Sequence, residues 1–144
     1  LLKDFKIVHL CGKNNIDPSL NDVEGYAQYE YISTELKDVF AATKLIISRS
    51  GANSLAEILA LRMPNILIPL SSKASRGDQI SNAKSYEKSG YSYILLQEDL
   101  TKETLLSSIK EGYKKRETYV SAMESSPVND AVSRILDIID EPAS

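Results

Sequence analysis

Five short runs punctuate the chain: apolar FKIVHL at residues 5–10, AQYEYI at 27–32, which alternates polar and aromatic residues, and apolar KLIIS at 44–48, NILIP at 65–69 and YSYILL at 91–96. Each is too short for a helix of its own and is bounded by turn residues, so each reads as a strand. The first reads as a buried strand, stopped by Cys11-Gly12-Lys13-Asn14-Asn15. Helical patterns fill the gaps. Asp17-Pro18-Ser19 opens a short helix. Ser33 stands where an N-cap belongs, with Leu36, Val39 and Phe40 at helical spacing behind it, predicting a helix over 34–43. A second helix is predicted over 54–61, ended by Arg62-Met63-Pro64, and a third over 78–89, ended by Gly90 as the residue after the C-cap. Residues 70–77 read as a polar loop. Beyond 101 the chain reads as helical, over 102–116, 117–125 and 128–140. The last stretch carries Val132, Ile135, Leu136 and Ile139 as one apolar stripe. Short apolar strands alternating with amphipathic helices predict an α/β fold: a Rossmann-like parallel sheet with helices on both faces, joined by right-handed crossovers.

Length and composition narrow the function. At 144 residues the chain suits one domain with a real core, residues 1–144. A net charge of −3 argues against a strongly electrostatic nucleic-acid binder. Cys11 is the sole cysteine and cannot form an internal disulfide. With His9 as the sole histidine, the set for a structural zinc site is missing too. No apolar run approaches the ~20 residues of a membrane span. No signal peptide opens the chain, and it reads as cytosolic. It begins Leu1-Leu2-Lys3-Asp4, like a piece of something longer.

In parallel sheets, ligands bind beyond the carboxyl ends of the strands. The loop after the third strand, Arg49-Ser50-Gly51-Ala52-Asn53-Ser54, carries small side chains into a helix start. Gly51 permits close approach, and the unpaired N–H groups behind it suit a phosphate or pyrophosphate. The same sequence also suits a tight turn with Ser50 or Asn53 as a plain N-cap. Glu57, one turn further on, either complements the helix dipole or accepts from the vicinal hydroxyls of a ribose. After the fourth strand, Lys73, Arg76, Asp78, Gln79 and Asn82 cluster. Gln79 and Asn82, three apart on a helix, share a face that suits sugar hydroxyls or a solvated helix start. His9 reads as a satisfied core or strand-end histidine and Cys11 as a structural thiol. No P-loop, G-x-G-x-x-G, D-x-D or G-x-S-x-G motif is present.

Three segments, SRSGANSLAE (48–57), PNILIPL (64–70) and DQISNA (78–83), resemble the donor half of the MurG family of glycosyltransferases. Ile7-Val8-His9, Gly12 and Tyr31-Ile32 fit as well, so the resemblance spans nearly the whole chain. The family transfers N-acetylglucosamine from UDP-N-acetylglucosamine to a lipid-linked muramoyl-pentapeptide in peptidoglycan synthesis. The resemblance implies the C-terminal half of a GT-B fold and an inverting reaction with no metal and no cofactor. It implies substrate binding by Ile32, Arg49, Ser50, Gly51, Ala52, Asn53, Ser54, Leu55, Ala56, Glu57, Gln79 and Asn82. Ile32 would meet the uracil through its backbone. Gly51 to Ala56 would line the uridine and diphosphate, Glu57 would take the ribose hydroxyls, and Gln79 and Asn82 the sugar hydroxyls. The lipid-linked acceptor, the contact with the cytoplasmic face of the plasma membrane and the catalytic base are expected from an N-terminal domain, so no catalytic residue is assigned here.

The chain departs from the family in a longer, more basic segment over 71–77, whose Lys73 or Arg76 either reaches the diphosphate or is solvated. The family's donor domain also opens with a strand and a Gly-Gly-Ser loop. A parallel sheet without that strand would have unpaired edges, so the strand is expected to lie outside this chain, or a partner chain to close the fold. Two further readings stay open. One is the donor subunit of a two-chain UDP-sugar transferase, which would expose an apolar patch, or an epimerase-like domain, against which the single histidine counts. The other is a non-catalytic nucleotide-sugar-binding module.

Overall fold

The computed structural model describes residues 1–127, and the helix predicted over 128–140, with its Val132, Ile135, Leu136 and Ile139 stripe, lies outside them. The chain divides into two compact units, Leu1–Thr43 and the residues from Lys44 onward.

In the first unit, β1 (Ile7–Leu10) pairs in parallel with β2 (Tyr26–Tyr29), Ile7 beside Tyr26 and Leu10 beside Tyr29. The turn after β1 uses left-handed backbone at Gly12 and Asn14. Pro18–Leu20 then forms a 3-10 turn capped by the Asp17 side chain, which accepts from the Ser19 N–H, as the Asp-Pro-Ser signal predicts. Those bonds to Ser19 hold the Asp17 carboxyl below its ordinary pKa. Gln28 of β2 pins this crossover, donating to the Asp17 carbonyl at 2.6 Å and to Asn21 Oδ1 at 3.0 Å.

Two expectations need correction here. The helix after β2, α1 (Leu36–Ala42), begins later than predicted. Its N-cap is Glu35, with no side-chain cap bond, and Ser33 lies in a preceding turn, where its carbonyl accepts from the Leu36 N–H at 3.3 Å. The first strand is also not buried. Val8, Leu10 and Tyr29, on one face of the pair, are 48%, 45% and 46% exposed. His9 lies on the opposite face and is exposed, with its Nδ1 2.8 Å from the Tyr26 hydroxyl. It is a satisfied strand histidine rather than a core one. An apolar run identifies a strand, whereas burial requires a second layer over it.

In the second unit, β3 (Ile46–Ser48), α2 (Ala52–Ala60), β4 (Asn65–Leu67), α3 (Ser72–Ser75), α4 (Asp78–Lys88) and β5 (Tyr93–Ile94) follow in turn, and α5 (Lys102–Lys114) and α6 (Arg116–Glu124) close the described chain. The sheet order is β3-β4-β5, all parallel. Central β4 is buried throughout, with Ile66 and Leu67 wholly inaccessible. On α2, Leu55, Ile58 and Leu59 form the inward stripe. On α5, Gly112 lets the helix press against β4: a Cβ there would lie 3.1 Å from Ile66 Cγ1. A Thr101–Thr104 capping box starts α5.

Residues 70–77 are not all loop. Ser71 accepts from the Ala74 and Ser75 N–H groups to start the single turn of α3. Left-handed Arg76 and Gly77 then redirect the chain into α4. A four-residue helix carries too little periodicity to be read from sequence. Gly90 takes φ 77° just after the C-cap of α4, as predicted. Among the described residues no helix is long and apolar enough to cross a membrane.

Candidate functional site

The site is built at the carboxyl ends of β3 and β4. A parallel strand feeding directly into a helix brings the helix N-terminus to that edge of the sheet. Gly51, at φ −65° and ψ 148°, is the N-cap of α2, and no side chain caps the helix. The plain N-cap role weighed for Ser50 and Asn53 is therefore not taken. The N–H groups of Ala52, Asn53 and Ser54 have no partner within the helix, and the first turn carries no acidic residue to offset their partial positive charge.

Across from this helix start lies the first turn of α4. Ser50, wholly buried, donates from Oγ to the Gln79 carbonyl at 2.7 Å. Asn82 Nδ2 donates back to the Ser50 carbonyl at 3.2 Å. The Leu70 N–H, at the exit of β4, donates to Gln79 Oε1 at 3.0 Å. These bonds leave Gln79 Nε2 beside Gly51, where a Cβ added to the glycine would sit 4.0 Å away.

Between the two helices opens a cleft of about 510 Å³ lined by Gly51, Ala52, Ser75, Asp78, Gln79, Ser81 and Asn82. Its size falls within the range of small-molecule sites, and its lining is mostly neutral and hydrogen-bonding. A smaller recess of about 200 Å³ adjoins it, lined by Ala52, Leu55, Asn82, Ser85 and Tyr86. The Tyr86 hydroxyl donates to the Leu55 carbonyl at 3.2 Å, and burial, followed by the neighbouring Tyr91, pushes its pKa up. It therefore stays a neutral donor at physiological pH.

Of the residues singled out in the sequence, Gly51, Ala52, Asp78, Gln79 and Asn82 meet in the cleft, and Ser50 lies beneath it. Leu55 is a core residue whose edge reaches the smaller recess, and Ser54 is half-buried. Asn53, Ala56 and Glu57 lie on the outward face of α2. Glu57 takes no part in the single ion pair among the described residues, Lys115 with Glu111. Arg49 turns back on the fold, donating to the Ile68 carbonyl at 3.0 Å and to Gln97 Oε1 at 2.8 Å. Ile32 follows β2 in the first unit and is half-buried. Lys73 and Arg76 are exposed and do not line the cleft. Sequence reasoning missed Ser75, Ser81 and Gln97. Ser75 sits on α3, which patterning marks as loop, and Gln97 acquires meaning only from Arg49, 48 residues away.

Comparisons with known proteins bear on this cleft. Residues 2–140 match the profile described as the glycosyltransferase family 28 C-terminal domain. The chain is 54% identical over 141 residues to the UDP-N-acetylglucosamine--N-acetylmuramyl-(pentapeptide) pyrophosphoryl-undecaprenol N-acetylglucosamine transferase of Lachnoclostridium phytofermentans, covering 98% of this chain and 40% of that protein. It is 54% identical over 143 residues to the protein of the same name in Clostridium perfringens strain SM101, covering 99% and 40%. The chain thus spans about 40% of the length of the curated relatives it matches. Among solved structures, Acinetobacter baumannii MurG superposes with a TM-score of 0.70 at 22% identity, over 94% of this chain and 41% of that one. The glycotransferase of kitacinnamycin superposes with a TM-score of 0.73 at 16% identity, over 95% and 35%. These likenesses show that the chain has the parallel α/β fold of one part of a GT-B glycosyltransferase.

Proposed function

The chain belongs to the C-terminal domain family of glycosyltransferase family 28, and from that premise we propose that it is the donor-binding domain of an inverting N-acetylglucosaminyltransferase of peptidoglycan synthesis. Its donor is UDP-N-acetylglucosamine, and residues 1–144 serve as one donor-binding domain. The observation that carries this reading is the uncapped N-terminus of α2 opening, at Gly51, on a cleft of amide and hydroxyl groups.

The diphosphate lies against the N–H groups of Ala52 to Ser54, where helix dipole and unpaired donors favour an anion. Gly51 offers no side chain to hold it off. The sugar fills the cleft, where Gln79, Asp78, Ser75 and Ser81 supply donors and acceptors to its hydroxyls. Six residues separate Gly51 from Glu57, a rise of about 9 Å along the helix. Glu57, outside the ion pair of the described residues, then takes the two ribose hydroxyls. Transfer breaks the bond from the anomeric carbon to the diphosphate oxygen, and UDP leaves with the electron pair, its charge held by the helix start. The acceptor oxygen bonds the same carbon from the opposite face, and its proton passes to a base outside this chain. The lipid-linked acceptor and the position at the cytoplasmic membrane face belong to the whole protein.

Calorimetric titration of the full chain tests the reading, with UDP-N-acetylglucosamine as ligand, ADP-glucose as control and Glu57→Ala alongside. Selective UDP-sugar binding that weakens about tenfold or more in Glu57→Ala is expected, the scale of at least one hydrogen bond to a charged group. Equal binding of ADP-glucose, or wild-type affinity in Glu57→Ala, would refute it. The exposed apolar face of Val8, Leu10 and Tyr29 favours a second reading, the donor subunit of a two-chain transferase, since such faces are ones partners cover. The length of the polypeptide made from its own gene separates the two.

A further inference from the structure

We infer that Ser50 and Asn82 are positioning residues, which clamp the first turn of α4 so that Gln79 presents its amide NH2, and not its oxygen, to the cleft. Ser50 is wholly buried, and both of its hydrogen bonds run to α4. Its two bonds run in opposite directions between the same two segments: Oγ donates to the Gln79 carbonyl at 2.7 Å, and its carbonyl accepts from Asn82 Nδ2 at 3.2 Å. A pair of reciprocal bonds between a strand–helix loop and a helix start restrains both translation and rotation of that start.

The orientation of both amides then follows from chemistry. The Leu70 N–H has only a donor to offer, so the Gln79 atom it meets at 3.0 Å is the oxygen, and Nε2 is turned towards Gly51. The Ser50 carbonyl can only accept, so the Asn82 atom facing it is the nitrogen, which leaves Oδ1 for the cleft. The cleft thus has a fixed polarity: donors from Gln79, an acceptor from Asn82. The family resemblance gives Asn82 a sugar-binding role, whereas its NH2 here holds the loop that carries Gly51. On the donor-site reading, a ligand held only by α2 is indifferent to the clamp, and one that also uses Gln79 depends on it.

The test compares UDP with UDP-N-acetylglucosamine on the full chain, by calorimetry, for wild type, Ser50→Ala, Asn82→Ala and Asn82→Asp. Amide hydrogen exchange at Leu70 is followed without ligand. Each substitution is expected to weaken UDP-N-acetylglucosamine about 3- to 10-fold more than it weakens UDP, the scale of one hydrogen bond, so that the charge added in Asn82→Asp, which opposes the diphosphate of both ligands, cancels in the ratio. Asn82→Asp is decisive, because it keeps an acceptor for a sugar hydroxyl and loses the donor to Ser50. Asn82→Asp binding like wild type would overturn the positioning role, as would equal weakening of both ligands. In the ligand-free arm, Leu70 exchange should quicken about tenfold in Ser50→Ala and Asn82→Asp. The Leu95 N–H, bonded to Leu67 across the β4–β5 ladder, should keep its rate. Unchanged Leu70 exchange would overturn the clamp. If wild type binds neither nucleotide, the donor-site reading fails and Leu70 exchange alone decides the clamp.

Discussion

Gly51→Ala separates the two reasons a glycine can stand at the start of a helix. At φ −65° and ψ 148° the backbone of Gly51 is one any residue adopts, so the fold does not need glycine there. The nearest neighbour to an added Cβ is Gln79 Nε2 at 4.0 Å, an ordinary van der Waals distance. Alanine is a poorer N-cap than glycine, but it restricts the unfolded chain by about 0.4–1 kcal/mol, so the net change in stability should stay within about 0.5 kcal/mol. The effect on ligand is different. A methyl group at the mouth of α2 occupies the space in which an anion approaches the Ala52 and Asn53 N–H groups. Pushing a phosphate oxygen outward by even half an ångström weakens one or two charge-assisted hydrogen bonds, each worth about 1.5–3 kcal/mol. Affinity for UDP-N-acetylglucosamine should therefore fall about 10- to 100-fold while the melting temperature holds. Calorimetry paired with thermal denaturation reads both. Wild-type affinity in Gly51→Ala would mean the anion does not sit at this helix start. A large drop in melting temperature would mean that Gly51 serves the fold.

Two further substitutions probe the scaffold. Gly112→Ala gains about 1 kcal/mol of helix propensity but sets a Cβ 3.1 and 3.2 Å from Ile66 Cγ1 and Cδ1. Ile66 is wholly buried on the central strand, so overpacking by about 1–3 kcal/mol should win and the urea midpoint should fall; a rise would show that β4 gives way. Burial raises the Tyr86 pKa, so the folded chain holds that proton more tightly than the unfolded one. Its stabilising effect is complete below the ordinary phenol pKa and is lost as pH rises through the folded value. Tyr86→Phe should accordingly flatten the alkaline decline of stability above pH ~10, measured by urea titration at successive pH values, and an unchanged slope would contradict that assignment.

Much of the secondary structure was legible because it is local. Four apolar runs and one polar–aromatic alternation, with turn residues beside them, marked all five strands, and Gly90 by its left-handed backbone and Asp17 by its capping side chain marked helix boundaries. Ser33 failed as an N-cap because many residues can cap, and the choice among them depends on where the first turn settles. The turn of α3 failed because four residues hold no period.

The site divides along the same line. The order of residues alone determined that a small-residue loop would lead from a strand into a helix at Gly51, and that Gln79 and Asn82 would share a helical face, since both follow from spacing within one element. Only the tertiary structure decided what those side chains do. Arg49 grips Ile68 and Gln97, Ser50 is spent on α4, and Gln79 is turned by Leu70 so that its NH2 faces Gly51. A hydrogen bond between residues 29 or 48 positions apart leaves no trace in local periodicity, because it comes into being only when the sheet brings the ends of its strands together.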